Sequence, residues 1–188
     1  MKHITTLEQL SKSVRHLSET VAHSFESMSL VDLNYKPAPN SWSMLQCLEH
    51  LNRYSRYYNS ALAKAIAQHT GEQAHLGSIS YSWLGKKSVE MVRPQNTKKH
   101  KTVRHMNPNT SQLNRATVGE FLQHQQELLQ LIYDARKVDL NKKAVPVEFF
   151  KLLKLRIGEA LEFVVLHQER HVQQALRVKQ HLAQQAAA

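Results

Sequence analysis

The sequence is poor in cysteine, glycine and proline. Cys47 is the only cysteine among the 188 residues, so no disulfide can form within the chain. There are only five glycines and five prolines, and runs of β-branched residues are scarce. Because Leu, Ala, Gln, Glu and Lys dominate, the composition favours helices over strands. The length suits one domain with a sizeable core.

Long apolar runs are also missing. No stretch approaches the roughly 18 apolar residues of a membrane-spanning helix. The first residues, MKHITTLEQLSKSV, lack the apolar segment of a signal peptide. From these absences we expect a soluble, cytoplasmic protein with no membrane partner.

Acidic residues are outnumbered by basic ones. The 15 Asp and Glu face 25 Lys and Arg, which gives a formal net charge of +10. Such a charge favours an anionic partner, whether nucleic acid, a membrane surface or a small anion, but a solvated basic surface explains it more simply. Because the sequence contains no zinc-finger pattern and no aromatic RNA-binding signature, we expect no specific nucleic-acid binding.

The first half of the chain contains two segments with the three- and four-residue apolar spacing of helices. The first segment runs from about Thr5 to Ser29 and is followed by NYKPAPNSW, whose two prolines exclude helix. The second opens at Ser43, where Ser43 and Gln46 fit a capping box. It fades near QHTGEQ.

The second half contains two further helical segments. The third helix begins at TVGE, where Thr117 and Glu120 fit another capping box. The last helix runs from about Ile157 to Leu182. Between them, KVDLNKKAVPV is interpreted as a loop and EFFKLLKL as a short turn.

The crossover between the second and third helices, residues 71–114, has a different composition. Gly, Ser, Pro and Asn are frequent, helical spacing is lost, and the basic run KKHKTVRH appears. A segment of about 40 residues is too long for an ordinary connection, so we interpret it as a functional loop or as partly disordered. Its first part, SISYSWLGKKSVEMV, fits a short helix. The whole pattern predicts an all-α fold, a four-helix bundle in a single domain over residues 1–188.

The last helix carries two histidines on a face that should be buried. At the helical period, His167 and His171 lie about 40° apart, inside the apolar stripe. Histidines four residues apart can both direct a ring nitrogen at one metal ion. The alternative is two core histidines bonded to backbone or carboxylate groups, which is the simpler explanation of this short pattern alone.

A third histidine, His50, lies on the second helix. It sits at the border of the apolar stripe, with Leu51 and Cys47 on one side and Arg53 and Glu49 on the other. This position alone is weak evidence for a ligand.

The two histidine segments together resemble a known family. NSWSMLQCLEHL resembles the W-S-x-x-x-x-x-x-H-L motif of the DinB-like, or YfiT-like, superfamily. HQERHVQQALRV resembles the last-helix motif of that superfamily, H-x-x-x-H-x-x-Q. Each motif is loose, but their order and placement on the second and fourth helices are considerably more specific.

This resemblance implies an up-up-down-down bundle that holds one divalent metal ion through His50, His167 and His171. The ion would be zinc or nickel, with iron or manganese as alternatives. Some relatives are thiol-dependent transferases or isomerases that use a low-molecular-weight thiol such as bacillithiol or mycothiol. Others are described as metal-dependent hydrolases.

Three neutral imidazoles leave at least one coordination position open, which is typical of a catalytic site. A divalent ion there lowers the pKa of bound water or thiol and polarises an electrophile. We therefore expect transfer of a low-molecular-weight thiol to a small-molecule substrate. The alternatives are a metal-dependent hydrolase and a non-catalytic basic interaction protein with structural histidines. The oligomeric state stays open, with a homodimer as one alternative.

Four other residues are candidates for roles near the metal. Tyr54 and Gln174 are the candidate catalytic residues, because either could hydrogen-bond a metal-bound ligand. Their simpler interpretations are an aromatic at the bundle edge and a polar bond to a neighbouring helix. We expect Trp42 to pack against the start of the second helix and Cys47 to belong to the core, with a role as fourth ligand as its minor alternative.

The basic run of the crossover has two interpretations. It is either a lid that attracts an anionic substrate or a solvated connector, and the connector is favoured. The lid interpretation depends on four cations, Lys98, Lys99, Lys101 and Arg104.

Overall fold

The computed structural model describes residues 6–71, 79–96, 98, 101–109, 111 and 113–187. This part of the chain is mostly helical and contains one antiparallel pair of strands. The helices are α1 (Leu7–Phe25), α2 (Leu30–Leu33), α3 (Met44–His69), α4 (Trp83–Val92), α5 (Ala116–Asp134) and α6 (Ile157–Ala186). The strands are β1 (Lys143–Val147) and β2 (Phe150–Arg156), and short 3-10 turns cover Arg104–Met106 and Ala135–Lys137. None of the described helices has the length and apolar character that crossing a membrane requires.

The start of α3 follows the predicted capping box. The Ser43 hydroxyl accepts from the Gln46 N–H, and the Gln46 side chain accepts from the Ser43 N–H, both at 3.1 Å. The corresponding prediction for α5 is wrong. Thr117 lies inside that helix and is buried, and the side-chain oxygen of Asn114 accepts from the Ala116 N–H instead.

The helices α3 and α5 run in the same direction. The side chains of Asn52 and Asn59 in α3 donate to the carbonyls of Thr117 and His124 in α5, at 3.0 and 3.3 Å. Both donors and both acceptors are seven residues apart, and the residue numbers rise together. The two helices are therefore parallel.

The helices α3 and α6 run in opposite directions. The ring of His171 is 4.5 Å from that of His50, whereas the ring of Phe163 is 5.4 Å from that of Tyr58. Rising residue numbers in α3 thus meet falling numbers in α6. This antiparallel packing brings the second turn of α3 beside the middle of α6.

The direction of α1 follows from two apolar clusters. The start of α1 shares one cluster with the end of α5 and the start of α6: Leu10, Val14, Leu128, Ile132, Ala160 and Leu161. The end of α1 shares the other with the start of α5 and the later part of α6: Val21, Phe25, Val118, Phe121, Val172 and Val178. Helix α1 is therefore antiparallel to α5 and parallel to α6.

The four long helices consequently run up, down, down, up, and the predicted up-up-down-down order is wrong. That order requires two long crossover connections, between the first two and the last two helices. Here only the crossover from α3 to α5 returns the chain to the end where the preceding helix began. The connections from α1 to α3 and from α5 to α6 join antiparallel helices.

The segment between α5 and α6 also differs from its prediction as a loop and a turn. It forms a hairpin in which Val145 pairs with Leu155 and Val147 pairs with Phe150. Val145, Val147 and Leu155 are buried and hold the hairpin against the helices. The remaining apolar residues of EFFKLLKL are exposed, so most of this apolar segment lies outside the core.

The crossover contains the short helix that its sequence predicted. Helix α4 packs against α6. The 3-10 turn Arg104–Met106 lies against α3, so the crossover contacts both helices that carry the candidate histidines.

Candidate metal centre

The facing surfaces of α3 and α6 bring the three histidines of the sequence motifs together. His50 and His167 are buried and His171 is half-buried. One nitrogen from each ring lies within 4.8 Å of the others. The two Nε2 atoms of His50 and His167 are 3.3 Å apart. Two nitrogens bound to one tetrahedral zinc at about 2.0–2.1 Å would have nearly the same separation, roughly 3.3 Å.

The outer nitrogens of two of the rings have fixed partners. His50 Nδ1 lies 2.8 Å from the carbonyl oxygen of Met106, and His171 Nδ1 lies 3.0 Å from the side-chain oxygen of Gln174. Because a carbonyl oxygen only accepts, each Nδ1 carries the proton in a neutral ring. The Nε2 atoms of His50 and His171 are then unprotonated, and that of His50 faces His167 Nε2. This is the tautomer that binds metal through Nε2.

Burial keeps the three rings neutral. It lowers the pKa of His50 to about 4 and that of His171 to about 3, against an ordinary value of 6.5. Burial also lowers the pKa of His167 well below the ordinary value, with further contributions from His171 and His50. The rings therefore have free electron pairs at neutral pH, the form in which imidazole binds a metal.

Aromatic side chains form the wall of the site. The Trp42 ring lies 4.8 Å from His50 and 5.7 Å from His171, so it covers the imidazoles as well as packing at the start of α3. The Tyr54 ring lies 4.9 Å from His50 and 4.5 Å from His167. Burial raises the pKa of the Tyr54 hydroxyl to about 12, so the hydroxyl stays protonated and can donate a hydrogen bond.

Arg53 holds the backbone segment that orients His50. Its guanidinium donates to the carbonyls of His105 and Asn107, at 3.0 and 2.9 Å, on either side of Met106. It also pairs with Glu49 at 2.9 Å, which fixes its own position on α3. Neither the Met106 carbonyl nor the role of Arg53 was predicted from the sequence, because a hydrogen-bond acceptor supplied by the backbone leaves no residue pattern.

A carboxylate that was not predicted from the sequence also lies near the aromatic wall of the site. Glu148, in the turn between β1 and β2, pairs through one oxygen with His105 and raises the pKa of Tyr54. Its other oxygen is buried and has no hydrogen-bond partner among the described residues.

The other predicted candidates have clear positions. Cys47 is fully buried in an apolar cluster, burial raises its thiol pKa to about 12, and it lies outside the histidine group. Lys98, Lys101 and Arg104 are exposed, whereas Lys99 lies outside the described residues. The backbone carbonyl of Lys98 accepts from Arg170 at 2.8 Å, which ties this segment to α6.

The donor set fits a divalent transition metal. Imidazole nitrogen suits zinc, copper, iron and nickel, and three protein ligands leave coordination positions free. The outer N–H groups of two rings already have acceptors, as metal-binding histidines require. A proton can bridge one pair of facing nitrogens, but it cannot satisfy three, so a cation is the better partner for the group.

Comparisons with known proteins agree with the sequence motifs. A model of the DinB superfamily matches residues 13–175. The matched range includes the three histidines and all four long helices in whole or in part. No curated protein and no solved structure matches the chain.

Proposed function

The chain belongs to the DinB superfamily, and on that premise we propose that it is a metal-dependent enzyme that transfers a low-molecular-weight thiol to a small electrophile. The observation that supports this proposal is the group of three neutral imidazoles whose nitrogens lie within 4.8 Å of one another. We also propose that α1, α3, α5 and α6 form a single four-helix bundle domain. His50, His167 and His171 would hold the ion.

Each surrounding residue has a distinct part in this proposal. A divalent ion bound here would lower the pKa of a thiol and polarise an electrophile. The Met106 carbonyl and Gln174 keep the ring protons on Nδ1, so that Nε2 stays free. Tyr54, which stays protonated, would donate a hydrogen bond to the substrate. The Trp42 and Tyr54 rings would exclude water from the reacting groups.

The side chains that form the wall of the site favour a thiol over water as the nucleophile. Among the described residues, the rings that contact the imidazoles belong to Trp42, Tyr54 and Phe163. None of these is a carboxylate base, and the nearby Glu148 carboxylate already pairs with His105. A thiol ionises near pH 8.5 and needs no such base once a cation lowers its pKa, whereas water benefits more from one.

Metal-dependent hydrolysis is the second candidate, and one observation favours it. The unpartnered oxygen of Glu148 is buried near Tyr54 and could take a proton from water. Under this candidate Glu148→Gln would abolish activity towards esters or amides. Under the thiol proposal the same variant keeps its activity.

Metal content tests the first step. We expect purified protein to contain close to one divalent ion per chain by elemental analysis, and His167→Ala to lose it. The matched control is His16→Ala, an exposed histidine of α1 outside the group. Equal metal content in the two variants would contradict the assignment of the ligands.

Turnover tests the second step. Metal-loaded protein is incubated with a panel of thiols and electrophiles and, separately, with esters and amides. We expect thiol consumption that depends on metal and is lost in His167→Ala. Hydrolysis alone would support the second candidate, and no turnover in either panel would favour a non-catalytic protein.

A further inference from the structure

The hairpin between α5 and α6 exposes an unusual concentration of apolar side chains. Phe149 is 64% exposed, Phe150 48%, Leu152 84% and Leu153 38%. These four large side chains occupy five consecutive positions at the turn and along β2. Scattered apolar residues are normal on a surface, but a contiguous group of this kind marks an interaction site. We call residues 149–154 the apolar hairpin.

The apolar side chains project from both faces of the hairpin. Successive residues of a strand point to opposite faces, so Leu152 and Leu153 lie on opposite sides of β2. A groove on a partner protein covers one face of a strand. An apolar medium that surrounds the hairpin accounts for exposure on both faces, and the interfacial layer of a lipid bilayer is such a medium.

The charges around the hairpin favour a lipid surface that is anionic. Lys151 and Lys154 are exposed between and beside the apolar residues, and Lys143 is exposed on β1. The only acidic residue between positions 142 and 156 is Glu148, whose carboxylate turns inward to His105. A second copy of this hairpin would meet like charges, whereas anionic lipids attract lysines near the bilayer surface.

We propose that the apolar hairpin binds the surface of an anionic lipid bilayer. Phe149, Phe150, Leu152 and Leu153 enter the boundary between headgroups and acyl chains, and Lys151 and Lys154 pair with lipid phosphates. The sequence alone led us to expect no membrane partner, because it contains no apolar run long enough to span a bilayer. An interfacial hairpin needs no such segment.

The hairpin is attached to α3 beside the aromatic wall of the metal centre. The Glu148 N–H donates to the Tyr58 hydroxyl at 3.4 Å, and the Tyr57 hydroxyl donates to the Pro146 carbonyl at 3.3 Å. The Tyr58 ring in turn stacks on Tyr54 at 6.1 Å. A protein bound through the hairpin therefore holds the metal centre close to the lipid surface.

Vesicle binding tests the proposal with the full-length chain. Protein is mixed with vesicles of phosphatidylcholine alone, or of phosphatidylcholine and phosphatidylserine in about equal amounts, and bound protein is measured by flotation. We expect binding to the anionic vesicles only. The double variant Phe150→Ser/Leu152→Ser should weaken it at least about tenfold, since each side chain loses its transfer into the interface. Lys151→Gln/Lys154→Gln should weaken it similarly and reduce its sensitivity to salt.

The matched control is Val31→Ser in α2, which removes an apolar side chain that is 82% exposed but far from the hairpin in the sequence. It should bind like the unchanged protein, and circular dichroism should show all variants folded. A tryptophan reporter, Leu152→Trp, should shift its emission to shorter wavelength only with anionic vesicles. Absence of binding by the unchanged protein, or binding that the double variants retain, overturns the proposal. Concentration-dependent dimers that Phe150→Ser/Leu152→Ser abolishes, without lipid binding, would assign the hairpin to self-association instead.

Discussion

Helix α6 buries ionisable side chains on two faces, and the two faces differ in how their polar atoms are satisfied. On the face towards α4, Glu159 accepts from the backbone N–H groups of Ser82 and Arg156. Glu162 accepts from the Tyr81 hydroxyl and lies 3.6 Å from the Arg93 guanidinium. These carboxylates have donors supplied by the chain, so they attach the crossover to α6.

The face towards α3 has the opposite arrangement. His167 and His171 meet His50 through nitrogens that carry electron pairs, and the ring protons of His50 and His171 are directed outward. The comparison shows that burial alone does not identify a functional site. A buried group whose partners are complete belongs to the fold, whereas several acceptors that face one another form a group that could hold a cation.

The largest expected difference between the two faces is their response to acid. In metal-free protein, His50 stays neutral down to about pH 4 and His171 down to about pH 3, whereas imidazoles of the unfolded chain take up protons near pH 6.5. The unfolded state therefore binds more protons, and the free energy of unfolding decreases as the pH falls. At about 1.4 kcal/mol per pKa unit, we expect several kcal/mol to be lost between about pH 6.5 and pH 4.

Urea unfolding of chelated protein over that range measures the loss. The control is His50→Phe/His167→Leu/His171→Leu, in which the dependence on pH should be much flatter. An equally steep dependence in this variant would show that other groups cause the acid sensitivity.

The next effect concerns the carboxylate face. A Cβ atom at Gly85 in α4 would overlap the carboxylate of Glu159, which is fully buried and bound to two N–H groups. We expect Gly85→Ala to lower the free energy of unfolding by about 1–3 kcal/mol, because neither helix can move away without breaking those bonds. Metal affinity should change less than twofold, roughly 0.4 kcal/mol.

The matched control is Gly119→Ala in α5, where no atom of the described residues lies within 4 Å of the added carbon, apart from the adjacent backbone of α5 and the two neighbouring residues. It should raise stability by roughly 0.5–1 kcal/mol, since alanine is the better helix former. Similar unfolding curves for the two variants would refute the close packing of α4 on Glu159.

Arg53 provides a test of the histidine face that leaves the ligands intact. Arg53→Met should weaken metal binding by about 10–100-fold, because the segment that directs the Met106 carbonyl at His50 loses its anchor. Arg56→Met is the control, since Arg56 also pairs with Glu49 but otherwise binds Glu120. Competition with a chromophoric chelator measures affinity, and nitrogen NMR shifts of His50 report its tautomer. An unchanged tautomer in Arg53→Met would contradict the mechanism.

The smallest expected effect is at Gln174. Its side-chain oxygen accepts from His171 Nδ1 at 3.0 Å, but it is half-buried, so water can replace it. We expect Gln174→Ala to weaken metal binding by at most about tenfold. Gln173→Ala, at the exposed neighbouring position, should have no effect. A larger loss than in Arg53→Met would show that the bond from His171 to Gln174 matters more for metal binding than the bond from His50 to the Met106 carbonyl.

Side-chain spacing predicted the helices, whereas the group of three histidines was implied by the resemblance to the DinB superfamily, because spacing alone favoured core roles for His167 and His171 and gave only weak evidence for His50. The apolar periods placed α1, α3, α5 and α6, and the capping box at Ser43 was confirmed. The resemblance to the DinB superfamily was also confirmed. The predicted directions of the helices were wrong. The sequence contains a single long connection, residues 71–114, which favours one crossover, whereas the up-up-down-down order needs two.

Other features of the site could not be predicted from the sequence because they depend on backbone atoms. The carbonyl of Met106 has no sequence signal, and the Arg53 bonds depend on where a distant segment returns to α3. The hairpin was missed for another reason: a strand with apolar residues on both faces has no alternation to recognise. The exposure of apolar side chains on both faces is also the feature that identifies the hairpin as an interaction surface.

The amide bonds between α3 and α5 have a consequence for the alignment of these two helices. The oxygens of Asn52 and Asn59, whose amide nitrogens bind carbonyls of α5, are buried without a partner among the described residues. Such atoms cost stability, and leucine at either position would bury more favourably. The two amide bonds instead fix the register of α3 against α5. A slip of one helical turn between α3 and α5 would move each amide about 5.4 Å along α5, so neither nitrogen would reach its carbonyl. Two residues outside the histidine group thus fix how α3 lies along α5, at the expense of a more stable but less precisely aligned core.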